Sequence, residues 1–183
     1  MLNEALRQVV VILDELHVPH ALIGGLAVAA HGVVRATKDV DFLVVLPLRN
    51  APALAQSLRE RSLEATFRRG GHDDPVSGSI QIEVPTPPGS VRCDLLLAGR
   101  RWQSSAVANA LAVDLEGFTV RVVQPADLFL LKLYAGGPMD LYDAAHLLEL
   151  QSEREREEWE ARAEALGERD ALQKCRKLLR KPR

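Results

Sequence analysis

The chain has 183 residues, of which 47% are hydrophobic and 26% charged, with a formal net charge of −2. That is enough chain for one globular body with a sizeable core, with room for a small helical appendix. The charge balance excludes a globally basic nucleic-acid binder, so any such partner must meet a local patch. Two cysteines, Cys93 and Cys175, stand far apart in no metal-ligand spacing, which fits a reduced, cytoplasmic protein without disulfides or structural zinc.

In chain order, Leu2, Leu6, Val9, Val10, Leu13 and Leu16 recur at helical spacing and predict an amphipathic helix stopped by Pro19. Its charges, Glu4, Arg7, Asp14 and Glu15, are unlike a signal peptide, and no segment is long enough to span a membrane. HALI (20–23) predicts a short strand ending at Gly24-Gly25, and LAVAAH (26–31) a short helix closed by Gly32. ATKDVDFLVV (36–45) reads as a second strand, ended by Pro47. A surface helix follows with Pro52 in its first turn, then a strand, EATF, and a polar stretch, 68–79, expected to be a mobile loop. IQIEV and VRCDLLLA predict strands flanking the turn PTPPGS; SSAVANA reads as a helix, and AVDLEG and FTVRVV as a pair. From Gln124 onward the pattern is helical, with Pro125 and Pro138 at two helix starts. EREREEWEARAE predicts an exposed charged helix anchored by Trp159. The expected class is α/β (α+β): a mixed sheet with flanking helices over 1–123, then a helical region over 124–183 packed on it.

The chemistry concentrates in the second strand. Asp39 and Asp41 are two residues apart, so on a strand they share a face at the mouth of an apolar run. Two converging carboxylates make a hard-oxygen site suited to magnesium, which takes one or two carboxylates plus substrate phosphates. Taken alone, the pair is also what a solvated strand end looks like. Gly24-Gly25 stands upstream at a strand-to-helix turn, where backbone and phosphate approach closely. Asp94 heads another apolar strand, and three carboxylates on neighbouring strands suffice for two metal ions. The five histidines, His17, His20, His31, His72 and His146, show no metal-binding spacing. The tail KCRKLLRKPR carries six cations in ten residues, suited to an RNA backbone or to a solvated helix end.

IGGLAVAAHGVVRATKDVDFLV resembles the first motif of the polymerase-β-type nucleotidyltransferase superfamily. More narrowly, it resembles the AbiEii-like abortive-infection toxin branch, with Gly-Gly, Arg-x-Thr and Asp-x-Asp in that order. LFLLKLYAGGPMDLYDAAHLL resembles that branch's later motif, a lysine on one helix and an aspartate pair on the next. The resemblance implies the nucleotidyltransferase fold, with Asp39 and Asp41 as metal ligands and Asp94 as third ligand or base. It implies two Mg²⁺ ions, phosphates held by Gly24 and Gly25, and triphosphate charge neutralised by Lys132. Asp140 and Asp143 would orient Lys132 or contact base or ribose. Arg35 would pair with the acids or with substrate, and Thr37 would shape the turn. Two departures stand out: Gly-Gly replaces the superfamily's usual Gly-Ser, and AGGPM fills the interval where the branch commonly has an arginine. The implied activity moves a nucleoside monophosphate from an NTP to an acceptor, with release of pyrophosphate. RNA such as tRNA, a small molecule or a protein would be the acceptor, in a toxin–antitoxin or phage-defence setting with a cognate antitoxin. The alternative is a catalytically degenerate module of the same fold that binds nucleotide or a partner protein.

Overall fold

In the computed structural model, residues 1–71, 74–115 and 117–179 are described. Chain contacts divide it into two compact units, Met1–Ala27 with Arg35–Val123, and Val28–Val34 with Gln124–Arg183.

The first unit is built on a seven-stranded mixed sheet. Its strands are β1 (His20–Ile23), β2 (Val40–Val44), β3 (Glu64–Arg69), β4 (Gly78–Thr86), β5 (Gly89–Leu97), β6 (Leu111–Asp114) and β7 (Thr119–Val122), in the order β3-β4-β5-β2-β1-β7-β6. β2 lies between β1, which it pairs antiparallel, and β5, which it pairs parallel. The register sets Val40, Phe42 and Val44 beside Cys93, Leu95 and Leu97, all inaccessible to solvent. Because side chains alternate, the odd-numbered residues of β2 fall on the other face, and Asp41 with them. The amphipathic helix is α1 (Leu2–Glu15), whose Ala5, Leu6, Val9 and Leu13 are buried, and it packs on β2, β4 and β5. α3 (Ala51–Arg59) lies on β3, and α4 (Arg101–Ala108) on β2. The short helix α2 (Gly24–Ala30) begins at the glycine pair itself rather than two residues later.

Two boundaries differ from the sequence reading. The stretch 68–79 is not loop throughout: β3 continues through Arg69 and β4 begins at Gly78, with Arg68 opposite Ser79 and Arg69 opposite Gly78. Antiparallel pairing satisfies backbone groups whatever the side chains are, so polar residues extend the hairpin. Likewise β4 and β5 run into the PTPPGS segment and leave only Pro87 and Pro88 between Thr86 and Gly89. His72 and residues 180–183 of the basic tail lie outside the described residues.

The second unit is helical: α5 (Pro125–Ala135), α6 (Pro138–Glu149), α7 (Glu153–Ala165) and α8 (Arg169–Leu179). Pro sits in the first turn of α5 and α6, where its missing N–H costs nothing. α7 opens on a capping box: Glu155 donates its backbone N–H to the Ser152 hydroxyl, and its carboxylate accepts from the Ser152 N–H. The charged α7 is held by Trp159, buried with its ring 5.6 Å from that of Phe129. Arg162 pairs with Asp127, and Arg176 donates to Glu160 through Nε at 3.0 Å. No described helix is long and apolar enough to cross a membrane.

Candidate active site

The sequence-identified residues fall into two groups, one in each unit. In the first, Asp41 is the register partner of Asp94 on parallel neighbouring strands, so the two carboxylates share one face of the sheet. The same row continues to Ile23 on β1 and Gln81 on β4. Asp39 lies one residue before β2 and is exposed, while Asp41 and Asp94 are half-buried.

The glycine pair is shaped around these acids. Gly24 has φ +67°, a left-handed backbone that disfavours any side chain, and a Cβ there would stand 1.9 Å from Asp41 Oδ2. The Asp41 carboxylate therefore occupies the space that a larger residue at 24 would fill. A Cβ on Gly25 would meet Thr37 Cβ at 2.8 Å and Arg35 Cζ at 3.3 Å. Gly24, Gly25, Arg35, Thr37 and Asp41 thus form one contiguous cluster. Thr37 donates its hydroxyl to the Asp39 carbonyl at 3.3 Å, tying the approach to β2 to the aspartate that opens it.

A residue that the sequence reading passed over completes this face. Arg92, two before Asp94 on β5, donates from Nε to Asp94 Oδ2 at 2.9 Å. With its amide oxygen turned toward β5, Gln81 accepts from Arg92 Nη1 at 3.2 Å and Nη2 at 3.0 Å. The guanidinium is held above its ordinary pKa chiefly by the hydrogen bond to Asp94, opposed by partial burial and helped by the fields of Asp94, Asp39 and Asp41. Sequence held the signal: an Arg-x-Asp on a strand obeys the same alternation as the Asp-x-Asp.

These are hard-oxygen donors of the kind a divalent cation takes, on adjacent strands, against a glycine that leaves room for one of them. They fit such an ion as a donor set. Among the described residues no group of three or more His, Cys, Asp and Glu side chains is gathered closely enough to hold a metal as they stand.

The second group lies on α5 and α6. Lys132 is buried, and its Nζ donates to Asp140 Oδ1 at 2.8 Å and to Asp143 Oδ2 at 2.9 Å. AGGPM, which stands where an arginine is common, is the turn that makes this possible. Gly136 closes α5 with φ +67° and donates its N–H to the Lys132 carbonyl. A Cβ on Gly137 would stand 2.8 Å from Asp140 Oδ2. Two carboxylates over-balance the ammonium, so Lys132 reads first as a clamped charge.

Neither thiol belongs to a site. Burial, with the fields of Asp41 and Asp94 adding, pushes Cys93 up to about 12, and burial does the same to Cys175.

A mixed sheet bearing acids at the mouth of a central strand, after a Gly-Gly turn, defines a nucleotidyltransferase fold. A crystal structure of an antigenic nucleotidyltransferase-like protein from Paracoccidioides brasiliensis shares it at TM-score 0.54 and 18% identity, over 96% of this chain and 94% of that one. A lincosamide antibiotic adenylyltransferase, LnuA, with lincomycin bound is similar at TM-score 0.49 and 12% identity, over 81% of this chain and 97% of that one. The antibiotic-resistance factor ANT(2'')-Ia in solution gives TM-score 0.46 and 16% identity, over 96% and 88%. Among curated proteins, none matches the sequence. The family model of the nucleotidyl transferase AbiEii toxin, type IV TA system, matches residues 10–182, and the chain belongs to that family.

Proposed function

We propose that the chain transfers a nucleoside monophosphate from an NTP to a hydroxyl of an acceptor, with RNA such as tRNA as the leading acceptor class. The observation that carries this is the pairing of Asp41 with Asp94 in register, with Gly24 cut back to admit the Asp41 carboxylate. Asp39 and Asp41, with Asp94, would hold magnesium, which supplies charge neutralisation for the phosphates and a more acidic attacking hydroxyl. Gly24 and Gly25 would hold the phosphates of the triphosphate through their backbone. Asp94, on the shared face, accepts the proton of the acceptor hydroxyl. The acceptor oxygen, freed of that proton, bonds the α-phosphorus as the bond to the β-phosphate oxygen breaks, and pyrophosphate leaves. Arg35, whose guanidinium lies beside Gly25, would meet substrate phosphate. Lys132, held by Asp140 and Asp143, braces α5 against α6. Membership of a toxin family supports a cognate antitoxin as partner.

A module that binds nucleotide without transferring it is the second reading, favoured by the full engagement of Lys132 with two carboxylates. One experiment separates them. The protein is incubated with magnesium, each labelled NTP, and total tRNA or a protein extract, while pyrophosphate and labelled acceptor are measured. Transfer is expected with at least one NTP, and an Asp39→Ala/Asp41→Ala variant is expected to lose it. No turnover with any acceptor, with nucleotide still bound, establishes the second reading instead.

A further inference from the structure

Register places more than acids on this face. Val40 pairs with Cys93 and Asp41 with Asp94. Asp39 and Arg92 immediately precede the first pair, and the fields of Asp39, Asp41 and Asp94 all act on the Arg92 guanidinium. Arg92 is half exposed, with a relative side-chain accessibility of 49%, whereas that of Asp94 is 15%. The guanidinium therefore approaches the acid from the solvent side, the side from which an ion must come. Gln81 holds it there from β4.

We propose that Arg92 is a positioning residue of the carboxylate site, a resident counter-ion that holds Asp94 until a divalent cation displaces it and so lowers the site's affinity for that cation. The inference rests on the reading of Asp39, Asp41 and Asp94 as cation ligands. An incoming ion competes with the Arg92 guanidinium for the Asp94 carboxylate, and the cost of weakening the Nε–H···Oδ2 bond is taken out of its binding. The guanidinium also offsets part of the mutual repulsion of the carboxylates when no ion is present.

The test is binding of Mn²⁺ alone to the full chain, read from the free-ion paramagnetic resonance signal, without nucleotide. Arg92→Ala is expected to bind Mn²⁺ about two- to fivefold more tightly than the wild type, the range for a partly exposed ion pair. Arg92→Lys keeps the charge but loses the Nε–H aimed at Asp94, and is expected to gain part of that affinity. Asp41→Asn is expected to weaken binding, which locates the ion. Thermal melting by circular dichroism confirms that each variant is folded. Unchanged or weaker binding by Arg92→Ala overturns the proposal. So does Arg92→Lys matching the wild type while Arg92→Ala gains, since the effect would then be a general field rather than a held carboxylate. If Mn²⁺ binds neither wild type nor Arg92→Ala, or binds Asp41→Asn equally well, the cation site itself fails and the proposal with it.

Discussion

At the scale of single residues, Gly24 is the most constrained position in the site. Its left-handed φ of +67° costs a non-glycine residue about 1–2 kcal/mol before any contact is considered. An alanine Cβ would also lie 1.9 Å from Asp41 Oδ2, so either the carboxylate or the turn must move. Gly24→Ala is expected to lose nucleotidyl transfer and to lower the melting temperature by several degrees, roughly as a 1–2 kcal/mol destabilisation does in a chain of this size. Gly25→Ala carries no left-handed backbone and meets Thr37 Cβ at 2.8 Å rather than 1.9 Å, and should retain more of both. Parallel melting curves and pyrophosphate assays on the two variants check the order. The sequence made the glycines and the aspartates legible because each carries its own spacing rule. It did not reveal that Gly24 and Asp41 occupy one another's space, since that depends on how β1 lies against β2, with Ile23 opposite Asp41.

At the scale of elements, the α5–α6 turn converts a sequence departure into a contact. Lys132 is buried, and Asp143 is fully so. Removing the ammonium takes the Lys132 ion pair from a buried carboxylate, a change that typically costs about 3–5 kcal/mol. Lys132→Met is therefore expected to shift the denaturant midpoint strongly downward. Asp140→Ala, whose side chain keeps 31% accessibility, should cost far less. Equilibrium denaturation of the two variants distinguishes them, and similar losses would show that Asp140 rather than Asp143 carries the pair. The lysine and both aspartates were legible as a motif. That AGGPM acts as a clasp was not, because two glycines and a proline signal a turn without saying which side chains it joins. Arg92 was missed for a different reason: Arg-x-Asp puts it on one face of β5 with Asp94, but an arginine on a strand reads first as surface.

At the scale of the whole molecule, the two thiols tie stability to alkaline pH. Each unit buries one cysteine, and in each the folded thiol is raised from 9.0 to about 12. Below pH 9 both states keep the proton, and folding is unaffected. Between about pH 9 and 12 the unfolded thiol releases its proton while the folded one holds it, so stability falls as pH rises, by about 1.4 kcal/mol per pH unit for each group. Melting temperatures from pH 8 to 10.5 should fall more steeply for the wild type than for a Cys93→Ala/Cys175→Ala variant. Equal slopes would mean that other groups dominate. The α/β character of the first unit and the helical character of the second were legible from pattern alone. The strand order was not, since nothing local tells β2 to lie between β1 and β5.

That order has a consequence for synthesis. β1 pairs on one side with β2, which soon follows it, but on the other with β7, where Val122 emerges from the ribosome a hundred residues after its partner Leu22. Asp41 likewise waits for Asp94. Non-local pairings of this kind form late and slowly. A growing chain of this protein therefore carries its acids unassembled through more than half of its translation.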